Sequence, residues 1–122
     1  MYLLKTTVAF DAAHQLSQMP EGHPCSRVHG HRWTVVVTVK REHLNLNSFV
    51  MDLHDLKALC DSTFVALLDH RMVNHQVHFT PTCENLAKWI YGKVAYGLPS
   101  AASMHSVEVI ETPGNSATYL EE

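Results

Sequence analysis

The chain lacks a paired cysteine spacing, a basic excess and any long apolar run, and each absence removes a class of protein. Its three cysteines, Cys25, Cys60 and Cys83, are an odd set without a Cys-x-x-Cys pair, which argues against a disulfide frame and fits free thiols in a reducing compartment. With 9 lysines and arginines against 12 acidic residues, a net charge of −3 leaves no basic stripe for a nucleic-acid backbone or an anionic membrane. No apolar run approaches the roughly 20 residues of a bilayer span, and no basic-then-apolar leader precedes the first expected strand. The expected location is cytoplasmic and the expected partner is a small molecule. With 122 residues, 46% of them hydrophobic and 17% charged, the chain is long enough for one real core and too short for two, so residues 1–122 form a single domain.

Histidine is the residue in excess. There are ten, and histidine is both the commonest metal ligand and the side chain that titrates near neutrality. His29-Gly30-His31 opens the apolar run Trp33 to Val39. In an extended chain, residues i and i+2 share a face with Cα atoms about 6.5–7 Å apart, so both imidazoles can reach one ion. A catalytic zinc takes three protein ligands and keeps a fourth position open. His14, at the end of a neighbouring alternating run, is the third candidate, and a satisfied structural pair of histidines is the alternative. Cys25 stands four residues ahead of His29, either as a reactive thiol or as a fourth ligand that closes the site.

Residues 2–11 alternate as a half-buried strand, and Gln15 to Arg27 reads as a long functional loop. His31 to Lys40 reads as a second strand with apolar residues on both faces. Asp52 is placed to cap a helix whose stripe Leu56, Leu59, Cys60, Phe64, Leu67 and Leu68 runs to about Leu68, with Asp69-His70 at its exit. Arg71 to Phe79 is expected to be loop. Thr80-Pro81-Thr82 starts a second helix containing Leu86, Ile90 and Val94, which Gly97 and Pro99 end. Residues 104–112 alternate again, with His105, Val107, Val109 and Glu111 on one face, and 117–120 form a short last strand. This order predicts an α+β domain: one four-stranded antiparallel sheet with two helices, inserted between strands 2 and 3, covering one face. The other face is left for subunits to meet. Glu111, a carboxylate on an apolar face, needs a partner.

Phe10-Asp11-Ala12-Ala13-His14, Glu21-Gly22-His23-Pro24-Cys25, His29-Gly30-His31, Asp52-Leu53-His54-Asp55-Leu56-Lys57, Leu68-Asp69-His70 with Asn74, Pro81-Thr82-Cys83-Glu84-Asn85-Leu86-Ala87 and Glu111-Thr112 together resemble the 6-pyruvoyl-tetrahydropterin synthase family from end to end. The cysteine separated by three residues from His-Gly-His looks like the 6-carboxy-5,6,7,8-tetrahydropterin synthase branch. The resemblance implies the tunnelling fold, with sheets joined into an oligomeric barrel of trimers, often two stacked into a hexamer, and active sites between subunits. It implies that His14, His29 and His31 bind Zn²⁺, that Cys25 is the catalytic base, and that Asp69 and His70 form a relay, commonly reaching it from the adjacent subunit. Glu111 is implied to anchor the pterin, with Thr82 and Glu84 beside it.

The implied reaction is the zinc-dependent conversion of 7,8-dihydroneopterin triphosphate to 6-carboxy-5,6,7,8-tetrahydropterin, releasing acetaldehyde and triphosphate, in queuosine and 7-deazapurine biosynthesis. The alternatives are the 6-pyruvoyl activity on the same substrate and a zinc- or pterin-binding protein without turnover. The chain departs from the family pattern at Arg32-Trp33 and at Ile110, where related enzymes often carry lysine. Arg27 and Arg32 are the candidate cations for the triphosphate. Taken singly, His70 can be read as complementing a helix C-terminus, and His23 as a loop residue within reach of metal or substrate.

Overall fold

The computed structural model describes residues 1–122. Two 13-residue strands, β1 (Tyr2–His14) and β2 (His29–Arg41), pair antiparallel along their whole length, from Tyr2 opposite Arg41 to His14 opposite His29. β4 (Ser103–Thr112) pairs antiparallel with β2, and β5 (Asn115–Tyr119) with β4. Pro113-Gly114 closes the last hairpin, where Gly114 takes φ +87°, the left-handed value a type II turn requires behind a proline.

The sheet has five strands and is mixed, where four antiparallel strands are expected from the sequence. The addition is β3 (Arg71–Met72), a two-residue strand that lies parallel to Ala12–Ala13 at the edge, giving the order β3-β1-β2-β4-β5. It falls inside the expected loop, and the single-turn helix α3 (Val73–Gln76) follows it directly. Two residues carry no period, so their pairing is set by what the chain meets on leaving the preceding helix.

That helix starts as expected. Asp52 caps α1 (Leu53–Cys60) by accepting the His54 N–H at 2.7 Å, with Asp55 in the first turn. It continues through a wider π-helical turn, Asp61–Val65, into α2 (Ala66–Leu68). There the Thr63 hydroxyl bonds back to the Leu59 carbonyl at 2.6 Å. Helix α4 (Cys83–Tyr96) is capped by Thr82, whose Oγ1 accepts the Asn85 N–H at 3.2 Å.

The core lies between one sheet face and the helices. Val8, Phe10, Ala12 and His14 of β1 and Trp33, Val35, Val37 and Val39 of β2 are its sheet side; Leu56, Cys60, Phe64, Leu68, Leu86, Ile90 and Val94 are its helix side. Trp33 is fully buried, and its indole N–H donates to the Ala12 carbonyl at 3.1 Å. The alternation expected in β4 breaks at its start. A register shift opposite Thr38 and Val39 makes His105 an extra residue, so Met104 rather than His105 is buried with Val107. A second irregularity between Ile110 and Thr112 falls at Glu111. No helix is long and apolar enough to cross a membrane.

Candidate metal centre

Register alone brings the three histidines together. His14 is the direct cross-strand partner of His29, and His31 stands opposite Ala12, two residues along and on the same face. Their ring centroids lie 4.4 Å (His14 to His29), 4.8 Å (His29 to His31) and 5.3 Å (His14 to His31) apart. Trp33, two residues further along β2, packs edge-on against His14 at 4.9 Å and His31 at 5.3 Å and walls the cluster from the core.

Two of the rings have their tautomer set by main-chain carbonyls. His14 Nδ1–H donates to Pro81 O at 2.9 Å and His29 Nδ1–H donates to Arg27 O at 2.8 Å. A carbonyl only accepts, so each Nδ1 carries the proton and each neutral ring presents a free lone pair at Nε2. Burial is the main cause that holds the His14 pKa below the ordinary histidine value, and the neighbouring His29 and His31 act in the same direction. Its neutral form, the form that ligates a metal, is therefore favoured.

Glu111 completes the group, its Oε1 lying 3.2 Å from His14 Nε2 and 2.9 Å from His31 Nε2. Those distances suit hydrogen bonds, yet neither ring nitrogen is aligned to make one, and both are buried without a partner. Two orphaned Nε2 atoms beside a carboxylate oxygen are costly in a core unless something else occupies the point they face. The ligand atoms of His14, His29, His31 and Glu111 all fall within 4.8 Å of one another, a set that fits a metal ion.

The remaining site candidates are placed apart from this cluster. Cys25 sits in a 3₁₀ turn, Pro24–Ser26, where its N–H donates to His23 Nδ1 at 3.0 Å; its thiol is outside the group of mutually close ligand atoms. His23 thus serves as the cap of that turn. The turn is tied to the end of β1 by Leu16 N–H to the Cys25 carbonyl at 2.8 Å and by Gln15 Nε2 to the Ser26 carbonyl at 2.8 Å. Asn74, in turn, grips Gln15 through both backbone groups, at 2.9 and 2.8 Å.

Asp69 and His70 form a second cluster with Asp11. His70 Nδ1 lies 3.0 Å from Asp69 Oδ1, and His70 itself takes φ +59°, an uncommon conformation for a residue with a side chain. Its imidazole is 78% exposed and pairs with Asp69. Arg32 is engaged by Asp11 at 3.1 Å, whereas Arg27 is exposed and meets the site through its carbonyl. Glu84 is exposed in the first turn of α4 behind Thr82.

Two contributors have no site role in the sequence analysis. Pro81 holds His14 through a carbonyl, which no side-chain pattern encodes. Cys83 donates its thiol to Glu111 Oε2 at 3.7 Å, and burial, reinforced by Glu111, pushes that thiol up to about 12. Its position next to Thr82 at the helix start was the available signal. A cavity of about 1010 Å³ between the π-helical turn and α4 is lined by Thr63, Phe79, Lys88, Trp89 and Lys93 and contains no residue of either cluster.

Fold and site together define an α+β domain whose paired strands carry a histidine–glutamate cluster able to hold a metal ion. Residues 3–122 match the family model for 6-pyruvoyl tetrahydropterin synthase, and the chain belongs to that family of enzymes. It is 37% identical to a 6-carboxy-5,6,7,8-tetrahydropterin synthase from Synechocystis sp., over 98% of this chain and 94% of the relative. It is 33% identical to the Bacillus subtilis protein of the same name, over 95% of this chain and 83% of that one. The solved 6-pyruvoyl tetrahydropterin synthase of Caenorhabditis elegans superposes with a TM-score of 0.84 at 26% identity, covering 99% of this chain and 96% of that one.

Proposed function

We propose that this protein converts 7,8-dihydroneopterin triphosphate to 6-carboxy-5,6,7,8-tetrahydropterin, with loss of acetaldehyde and triphosphate, using Zn²⁺ held by His14, His29 and His31. The observation that carries the reading is the pair of buried, unpartnered Nε2 atoms of His14 and His31, in a group where the Nδ1 protons of His14 and His29 are committed to the Pro81 and Arg27 carbonyls. The bound ion supplies Lewis acidity to the hydroxyls of the substrate side chain. Three imidazole nitrogens with an open fourth position suit a catalytic zinc.

The chain's own residues do the rest. Cys25 takes the side-chain proton as thiolate, and an imidazole nearby relays that proton. His70, oriented by Asp69, is that imidazole. Its exposure and its place outside its own chain's histidine group suit delivery to the site of a neighbouring copy. The sheet face opposite the helices, with Leu3, Ala9, Val36 and Ile110 left uncovered or half-covered, is where copies would join, in trimers and then a hexamer. Glu111 accepts the paired N–H groups of the pterin's amino-pyrimidinone edge. Thr82 and Glu84 shape that end of the pocket, and Arg27 meets the triphosphate. The product suits queuosine and 7-deazapurine biosynthesis.

The test is incubation of the metal-loaded protein with dihydroneopterin triphosphate, followed by product mass, an acetaldehyde assay and metal content on one sample. A carboxylated pterin with stoichiometric acetaldehyde supports the proposal. A product that keeps all three side-chain carbons assigns the 6-pyruvoyl reaction, and an unchanged substrate leaves a binding protein.

A further inference from the structure

The recess between the π-helical turn and α4 belongs neither to the histidine group nor to the Asp69–His70 pair, and its chemistry is of one kind. Lys88, Trp89, Gly92, Lys93 and Tyr96 recur at helical spacing along one face of α4, and Ser62, Thr63 and Phe79 also line the cavity of about 1010 Å³. No acidic side chain lines it, in a chain with 12 acidic residues against 9 lysines and arginines. Asp61, which begins the π-helical turn, is engaged by Lys57 at 3.4 Å and lies outside the lining.

Two of the rings are held in place. Phe79 and Trp89 are half-buried against the core with centroids 6.2 Å apart, and Lys93 Nζ stands 5.5 Å over the Trp89 ring. Tyr96 is 96% exposed. Gly92 is the further anomaly. A glycine inside a helix is destabilising relative to alanine, and a Cβ at Gly92 would meet nothing within 4 Å, so packing does not require the gap. Its missing side chain leaves the lining open between Trp89 and Tyr96.

We infer that this recess is a second ligand site, for a small planar aromatic molecule bearing a phosphate. The ring lies beside Trp89 and Tyr96 over Gly92, and Lys88 and Lys93 meet the phosphate. Charge selects the anion, since the lining offers cations and no carboxylate to repel it. The aromatic side chains select a ring, through stacking and edge contacts. Size selects a small molecule: ligand sites enclose about 300–1,000 Å³, whereas a protein partner takes a broad face of about 800 Å² on each side. The site is independent of the proposed reaction, so either reading can fail alone.

The two tryptophans make the test specific. Trp33 touches His14 and His31, whereas Trp89 lines the recess. The whole protein, labelled with 5-fluorotryptophan and assigned through Trp89→Phe, is titrated with phenyl phosphate and with adenosine, guanosine and uridine 5′-monophosphates. The matching nucleosides and inorganic phosphate are the controls. The Trp89 fluorine resonance is expected to shift saturably with at least one aromatic phosphate while Trp33 stays still, and either half alone should bind about tenfold more weakly than the whole. Lys88→Gln and Lys93→Gln are each expected to weaken binding by about three- to tenfold and to flatten its salt dependence. Gly92→Leu should keep or raise the unfolding midpoint while weakening binding by about tenfold or more, because its side chain fills the space the ring would take. No shift at Trp89 with any of these phosphates at millimolar concentration overturns the inference. So does a shift confined to Trp33, which sends the probe to the histidine group, or an equal response to neutral nucleosides. A Trp89 resonance that moves with protein concentration alone overturns it too and assigns the recess to a second copy of the chain.

Discussion

Asp69 Oδ1 accepts the backbone N–H of Asp11 at 3.1 Å, so the first strand itself holds the carboxylate that pairs with His70. The bond is returned: the His70 N–H donates to the Asp11 carbonyl at 2.6 Å, fixing the residue at positive φ directly before β3. The dyad is therefore an edge feature of the sheet, anchored to main chain while its imidazole stays exposed.

That anchoring sets a pH prediction. The Asp11 N–H first, and His70 next, hold the Asp69 carboxyl below the usual carboxylate range. A carboxyl whose folded pKa is depressed contributes stability above its unfolded value, about 3.9, and the contribution is lost as pH falls through the folded pKa. The Asp69 carboxyl resonance is expected to titrate below about 3.9, with the Asp11 amide resonance following the same curve. A midpoint at or above that value, or an Asp11 amide indifferent to it, contradicts the contact.

His14 gives a second window. Its folded pKa lies below the ordinary 6.5, mainly through burial, so below about 6.5 the unfolded imidazole takes up a proton that the folded one refuses. Metal-free protein should lose stability as pH drops from about 6.5 toward the folded pKa. Denaturation midpoints of apo wild type and His14→Gln across pH 5–8 check this: the variant's slope should be shallower. Metal affinity should fall over the same range as protons compete for the ligands.

Removing a ligand should cost more than removing a support. His14→Ala is expected to reduce zinc affinity by more than the roughly 10–100-fold typical of residues that only brace ligands. Stoichiometric metal in the purified variant would show that the histidines are a packing cluster.

Cys25→Ala should separate chemistry from binding. Its thiol lies outside the close ligand group, so zinc content is expected to stay at wild-type level while turnover falls by about 10²-fold or more. Loss of the metal in this variant would instead make Cys25 a ligand.

Trp33→Phe tests the wall behind the cluster. The substitution removes the indole donor to the Ala12 carbonyl and the edge contacts to His14 and His31. A stability loss of about 1–3 kcal/mol by chemical denaturation is expected, together with weaker zinc binding. Unchanged zinc affinity at reduced stability would show that the strands alone orient the rings.

The amino-acid sequence by itself determined the long strands, both main helices and the histidine group. Each of these rests on a local rule: period two in residues 2–11, the apolar run within 31–40, the Asp52 and Thr82 caps, and the shared face of His29 and His31. Pairing two such strands antiparallel puts His14 beside His29 with little further information.

The tertiary structure decided what local rules do not encode. The parallel pairing of Arg71–Met72 with Ala12–Ala13 depends on where α2 releases the chain, and the bulge at His105 depends on fitting β4 to β2, which moves Met104 into the core instead. The Pro81 carbonyl on His14 and the Cys83 thiol on Glu111 join residues 67 and 28 positions apart. A period describes one element at a time, and these contacts exist only once α4 has packed against the sheet.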